Sequence, residues 1–354
     1  ALTGAIGVAT SGTSNFTLDN TTTAVNLGTV GVTGALSVTS GAAITDSSTI
    51  TVGGTATFVT DVNDVDIILN NDNAITGAVT FTTQTGGSNG ADITFDNGTT
   101  AISLAGFTTR GNLTLQTDAA IALTGHTVNG ALAVTSADAI TQSAALTVSG
   151  TSSFTSTGTN TNITLSNASN ALTGAVTLTT AGTSGDVSID NNTTALGIQG
   201  TINGGLTVVN GAAITDSGTL TVSGTSSFTI DTGSNHITLG TAALTGAIGV
   251  ATSGTSNFTL DNGTTAVNLG TVGVTGALSV TSGETITDSG VITVGGTSSF
   301  TTDVNNKAIN LGSSNAMSGN ITVTTQGTSG NVTIDNGTTA LGIQGTVNGA
   351  LDLT

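Results

Sequence analysis

Apolar and polar residues alternate with a period of two along most of this chain. Gly34-Ala35-Leu36-Ser37-Val38-Thr39 and Leu220-Thr221-Val222-Ser223 send Leu and Val to one side and Ser and Thr to the other, as a strand with one buried face must. The runs are short and rich in β-branched residues. Between them lie clusters such as Ser40-Gly41, Asp96-Asn97-Gly98 and Asp261-Asn262-Gly263, whose residues tolerate the left-handed backbone of tight corners. The pattern predicts an all-β protein of strands and corners, with no helical segment of useful length.

The strands recur. ITDSGTLTVSGTSSF at 214–228 returns at 44–58, 140–154 and 286–300, which places Phe58, Phe154, Phe228 and Phe300 at intervals of 96, 74 and 72 residues (154−58, 228−154, 300−228). A second marker, Leu244-Thr245-Gly246-Ala247-Ile248 and its relatives beginning at Leu2, Ile75, Leu172 and Met317, steps by 73, 97, 72 and 73. The long interval exceeds the short ones by 24, and 24 is about a third of each. The elementary unit is therefore about 24 residues, taken in threes, with one additional coil near 105–129.

A propeller blade needs about 40 residues, whereas a coil of about 24 suits a parallel β-helix or solenoid, whose coils pair strand to strand. Residues 1–354 read as one continuous repeat region of about 14 or 15 coils. Residues 243–283 match 1–41 with one difference, Gly263 against Thr21, at an offset of 242. Such a match marks tandem duplication, so the chain is expected to be a fragment of a longer array with uncapped coils at both ends. Phe16, Phe58, Phe154, Phe228, Phe258 and Phe300 are expected to fill the core.

Charge narrows the partners. Twenty acidic residues against two basic ones, Arg110 and Lys307, give a formal charge of −18. Such a surface repels phosphate backbones and anionic lipid, which argues against nucleic-acid and membrane-surface binding. The chain has 51 Gly, but apolar residues fall regularly between them, so order is expected rather than a flexible linker. There are no cysteines, hence neither disulfides nor thiolate metal sites.

Candidate chemistry is sparse. Arg110 and Lys307 lie 197 positions apart (307−110) and cannot share a catalytic groove, and His126 and His236 have neither Ser nor carboxylate patterns beside them. No enzyme activity and no cofactor are expected. The densest acidic cluster, Asp61, Asn63, Asp64 and Asp66, is a weak calcium candidate, weakened further because its cognate, Asp303-Val304-Asn305-Asn306-Lys307, loses acids and gains a cation. All nine aromatic residues are Phe, which leaves no Trp or Tyr platform for stacking sugars.

ALTGAVTLTT at 171–180, GALSVTSGAAIT at 34–45 and LTVSGTSSFT at 220–229 resemble the tandem repeats of filamentous-haemagglutinin-like and autotransporter-type bacterial surface proteins. The resemblance implies export to the cell surface, a right-handed parallel β-helix, and a structural or adhesive stalk. The expected function is a rigid extracellular fibre or stalk segment. The alternatives are an adhesin whose lateral Thr, Ser and Asn ladders contact glycans or another cell, and a filament subunit that stacks end to end or associates laterally with copies of itself.

Overall fold

A computed structural model describes residues 1–84, 86–87 and 90–354, in two compact units, Ala1–Gly174 and Ala175–Thr354. Each unit is a parallel β-solenoid without helices among its described residues. In the first, eight strands follow one another up one stack: Ala5–Ala9, Val25–Val32, Ile44–Asp46, Ile67–Leu69, Ile93–Asp96, Leu113–Thr117, Leu132–Ser136 and Ser152–Thr159. In the second, nine do so: Val187–Asp190, Leu206–Asn210, Ser226–Ile230, Ala247–Ala251, Val267–Val274, Ile286–Asp288, Ile309–Leu311, Val332–Ile334 and Leu351–Leu353. These stacks are deeper than about 14 or 15 coils of equal length would make them, because many corners need only a few residues.

Partner residues give each turn its length, from 18 residues between Leu196 and Ile214 to 26 between Ile67 and Ile93, a range that brackets the expected 24. The three-coil grouping is present, with an overhang. Phe228 pairs with Val250, Val250 with Val272 and Val272 with Ile292. Three turns thus end at Ile292, whereas the cognate Phe300 comes eight residues later, on Ser298–Asn305, which pairs with Leu278–Ser282. The repeat from Phe228 to Phe300 thus carries three coils and one strand more, so Phe300 takes its place in a different stack from Phe228.

Alternation within strands decides what is buried. Val25, Ile44, Ile67, Ile93, Leu113 and Leu132 form one inward column of the first unit, each at most 1% exposed. Phe58, Phe154, Phe228, Phe258 and Phe300 are fully buried, as expected. Phe16 is only half-buried, because it heads its stack and has Leu36 on one side alone. Phe81 and Phe95 join the core too, with Phe81 stacked at 5.8 Å on Phe58 and meeting Phe95 edge-on at 5.5 Å, a geometry that adds to their burial.

The Asp-Asn-x corners follow one design. At Asp19, Asp96, Asp190, Asp261 and Asp335 the carboxylate accepts the N–H two residues on, from Thr21, Gly98, Asn192, Gly263 and Gly337. Those five acceptor-bonded residues all have positive φ, between 50° and 57°. The single difference between the long repeats, Thr21 against Gly263, therefore falls on a left-handed residue, where a β-branched side chain is strained. Thr21→Gly is expected to stabilise the first unit by about 1 kcal/mol, read as a raised urea midpoint; an unchanged or lowered midpoint would show that the threonine is not strained.

Candidate functional site

Of the calcium candidates, Asp61 and Asn63 lie in the exposed end of the strand Ala56–Asn63, and Asp64 and Asp66 in the corner after it. The last three accept main-chain N–H groups. Asn63 Oδ1 accepts the Gly86 N–H at 3.0 Å, Asp64 Oδ1 the Gly90 N–H at 2.8 Å and Asp66 Oδ1 the Asp92 N–H at 2.9 Å. Asp64 holds this position with φ 57°. The corner thus fastens one coil to the next. Among the described residues, no three His, Cys, Asp or Glu side chains converge as metal ligands.

The more informative groups are buried asparagines that sequence reading treated as corner residues. Asn262 is 0% exposed; its Oδ1 accepts the Leu244 N–H at 2.8 Å, and its Nδ2 donates to the Leu244 carbonyl at 3.0 Å and to those of Thr265 and Ala266 at 3.2 Å. Asn20 grips Leu2, Asn97 grips Ile75 and Asn336 grips Met317 in the same two-bond manner. The gripped residue is in each case the first of the second sequence marker. The two motifs recur together because one hydrogen-bonds the other across a coil. Asn262→Ala is expected to cost the second unit about 2 kcal/mol by orphaning both main-chain groups of Leu244, measured by urea unfolding; a loss no greater than that of an exposed Asn→Ala change would remove the clamp.

The repeated 44–58 element carries a second clamp. Asp46 accepts from the Asn70 and Asn71 N–H groups and from the Asn71 and Asn73 amides, while Asn73 Oδ1 accepts the Ile50 N–H at 2.7 Å. Asp288 and Asn315 repeat this around Ile292, and Gln142 with Asn170 does so around Leu146. Bonds from charged or amide groups to buried main chain are the costly ones to lose, which accounts for the persistence of an acid or amide at this position.

Titratable groups divide sharply. His236 is exposed and accepts the Asn257 N–H at its Nδ1. His126, in the additional coil, is 1% exposed, packs at 4.9 Å from Phe107, has Nε2 3.3 Å from Thr124 Oγ1, and leaves Nδ1 without a partner. Burial pushes its imidazole down to about 4. Burial also raises the Asp96 carboxyl above the usual carboxylate range, opposed by the Gly98 N–H and reinforced by Asp72, Asp118 and Asp46. Lys307 is not isolated: its Nζ lies 2.6 Å from Glu284 Oε1. These two stand where Ala42 and Val65 stand 242 residues earlier. Partial exposure limits the value of this ion pair to below about 1 kcal/mol.

A groove of about 450 Å³ on the second unit is lined by Thr252, Val274, Thr275, Thr293 and glycine backbone. It brings together hydroxyls but no acid, base or aromatic group.

Comparison with protein families finds four tandem matches, at residues 13–82, 110–179, 184–251 and 255–324, described as repeats of unknown function (DUF5649). Their starts are 97, 74 and 71 residues apart (110−13, 184−110, 255−184), the rhythm of the phenylalanine markers. Neither the curated proteins nor the solved structures contain a match. Because the four matches cover most of the chain, it belongs to the family of repeats of unknown function (DUF5649).

Proposed function

We propose that the chain is a structural segment of an extracellular bacterial fibre or stalk, a stiff spacer rather than a catalyst. The observation that carries this reading is the clamp system. Buried Asn and corner Asp side chains spend their hydrogen-bonding capacity on the adjoining coil, on top of the main-chain bonds of parallel strands. The anionic exterior keeps such a segment soluble. Immunogold labelling of intact source cells with antibody to these repeats is expected to decorate projections outside the envelope. Label confined to the cell interior would end the proposal.

An adhesive reading draws support from the outward columns. Thr259, Ser279, Ser299 and Thr322 are successive partners, and so are Thr281, Thr301 and Thr324. Such a face offers regularly spaced hydroxyls to a neutral glycan. Binding on a glycan array, abolished by combined Ser279→Val and Ser299→Val, is the result this reading requires; no binding by the wild-type repeats would dismiss it.

A further inference from the structure

Seven Asn–Gly steps have both residues described, at Asn97, Asn129, Asn203, Asn210, Asn262, Asn336 and Asn348. Asn–Gly is the dipeptide most open to attack of its own main chain on the side-chain amide, since glycine has no side chain to obstruct the approach. Six of these amides are tied down. Asn97, Asn262 and Asn336 are the buried clamps, Asn210 Nδ2 donates to the carbonyls of Thr194, Ala212 and Ala213, and Asn203 and Asn348 donate to the Thr180 and Thr325 carbonyls at 2.8 and 2.7 Å.

Asn129 differs for a local reason. At Asn203 the main-chain N–H bonds the Thr180 hydroxyl, which leaves the Thr180 carbonyl for the amide. At Asn129 the main-chain N–H instead takes the Thr109 carbonyl itself at 3.0 Å, the acceptor that its own side-chain amide would otherwise use. The Asn129 side chain is exposed and makes no hydrogen bond among the described residues. The attacking group is also held by a longer bond than most of its kind, although the Gly349 N–H makes no hydrogen bond among the described residues. The Gly130 N–H reaches the Gly111 carbonyl at 3.2 Å, against 2.5 to 3.0 Å for the bonds made by Gly98, Gly204, Gly211, Gly263 and Gly337.

We propose that Asn129 is a site of spontaneous covalent modification, converting through a cyclic imide to aspartate and isoaspartate while the other described Asn–Gly steps of the folded chain persist. The Gly130 nitrogen gives up its proton to solvent and bonds to Asn129 Cγ, and the side-chain nitrogen leaves as ammonia. Water then opens either carbonyl of the imide, so the net change is amide plus water to acid plus ammonia. The isoaspartate product lengthens the main chain by one methylene. It does so where Gly130 packs against the backbone of Gly111, too closely for a Cβ, so the strand Leu132–Ser136 is expected to loosen locally after modification.

The test is to age the folded protein at mildly alkaline pH and map amide-to-acid mass gains peptide by peptide, beside a sample aged in denaturant. The proposal expects conversion at Asn129 to outrun every other step in the folded sample, and the steps to converge in the denatured one. Asn129→Gln is expected to remove the folded-state signal. Conversion at Asn129 no faster than at Asn203 in the folded sample, or no conversion there at all, would overturn it.

Discussion

Val222→Asp is expected to abolish the protease resistance of the second unit and to diminish its β-sheet circular dichroism. Val222 is 0% exposed and sits between its strand partners Ile202 and Leu244. A carboxylate there has no cation within reach, because the only described ion pair of the unit is Lys307 with Glu284. Leaving a charge buried without a partner costs about 4 kcal/mol, a large fraction of what holds a domain together. The neighbour Thr221 points outward and is half-buried, so Thr221→Asp provides the control and is expected to cost little. Equal stability of Val222→Asp and wild type would mean that the inward and outward faces have been interchanged.

Acid is expected to weaken the first unit through His126. Burial lowers its folded pKa from 6.5 to about 4, so the unfolded chain binds the proton first. The contribution of the neutral imidazole is complete above the unfolded value. It is lost progressively as pH falls from about 6.5 towards 4, amounting to about 3 kcal/mol at the lower end. No charged neighbour offsets this, since desolvation is the sole cause of the shift. Urea midpoints of wild type and His126→Val, compared at about pH 7 and about pH 4.5, cancel the carboxylates common to both. Wild type is expected to lose stability relative to the valine variant at the lower pH; parallel behaviour would show that His126 is solvated or paired.

The strand-and-corner grammar was legible because burial of one face leaves a period of two that neither glycine content nor Thr richness obscures. Leu36, Val38, Leu220 and Val222 are all inward, as their alternation requires. The path of the repeats was less legible. Marker spacing counts residues, whereas stacking counts turns, and the one-strand overhang between Ile292 and Phe300 leaves no mark on the spacing. The clamps escaped for a related reason. Asn262 and Leu244 are 18 residues apart, and nothing local to either names the other, although both recur at matching intervals. His126 had a usable signal. Aligning His126-Thr127-Val128-Asn129-Gly130-Ala131-Leu132 with Val30-Gly31-Val32-Thr33-Gly34-Ala35-Leu36 puts it at the position of buried Val30. Attention to catalytic patterns, which found neither Ser nor carboxylate beside it, passed over that alignment.

Coil-to-coil register fixes the clamps and the inward columns, and a cysteine-free chain lets it be measured directly. Ser279 faces Ser299 twenty residues on, at the interstrand spacing of about 4.8 Å. A short thiol-specific crosslinker is expected to join Ser279→Cys to Ser299→Cys rapidly. It is expected to leave the pair Ser279→Cys and Asp303→Cys, which a uniform coil of about 24 residues would bring together, unjoined. Crosslinking of 279 to 303 in preference to 299 would contradict the register, and with it the clamps and the inward columns built on it.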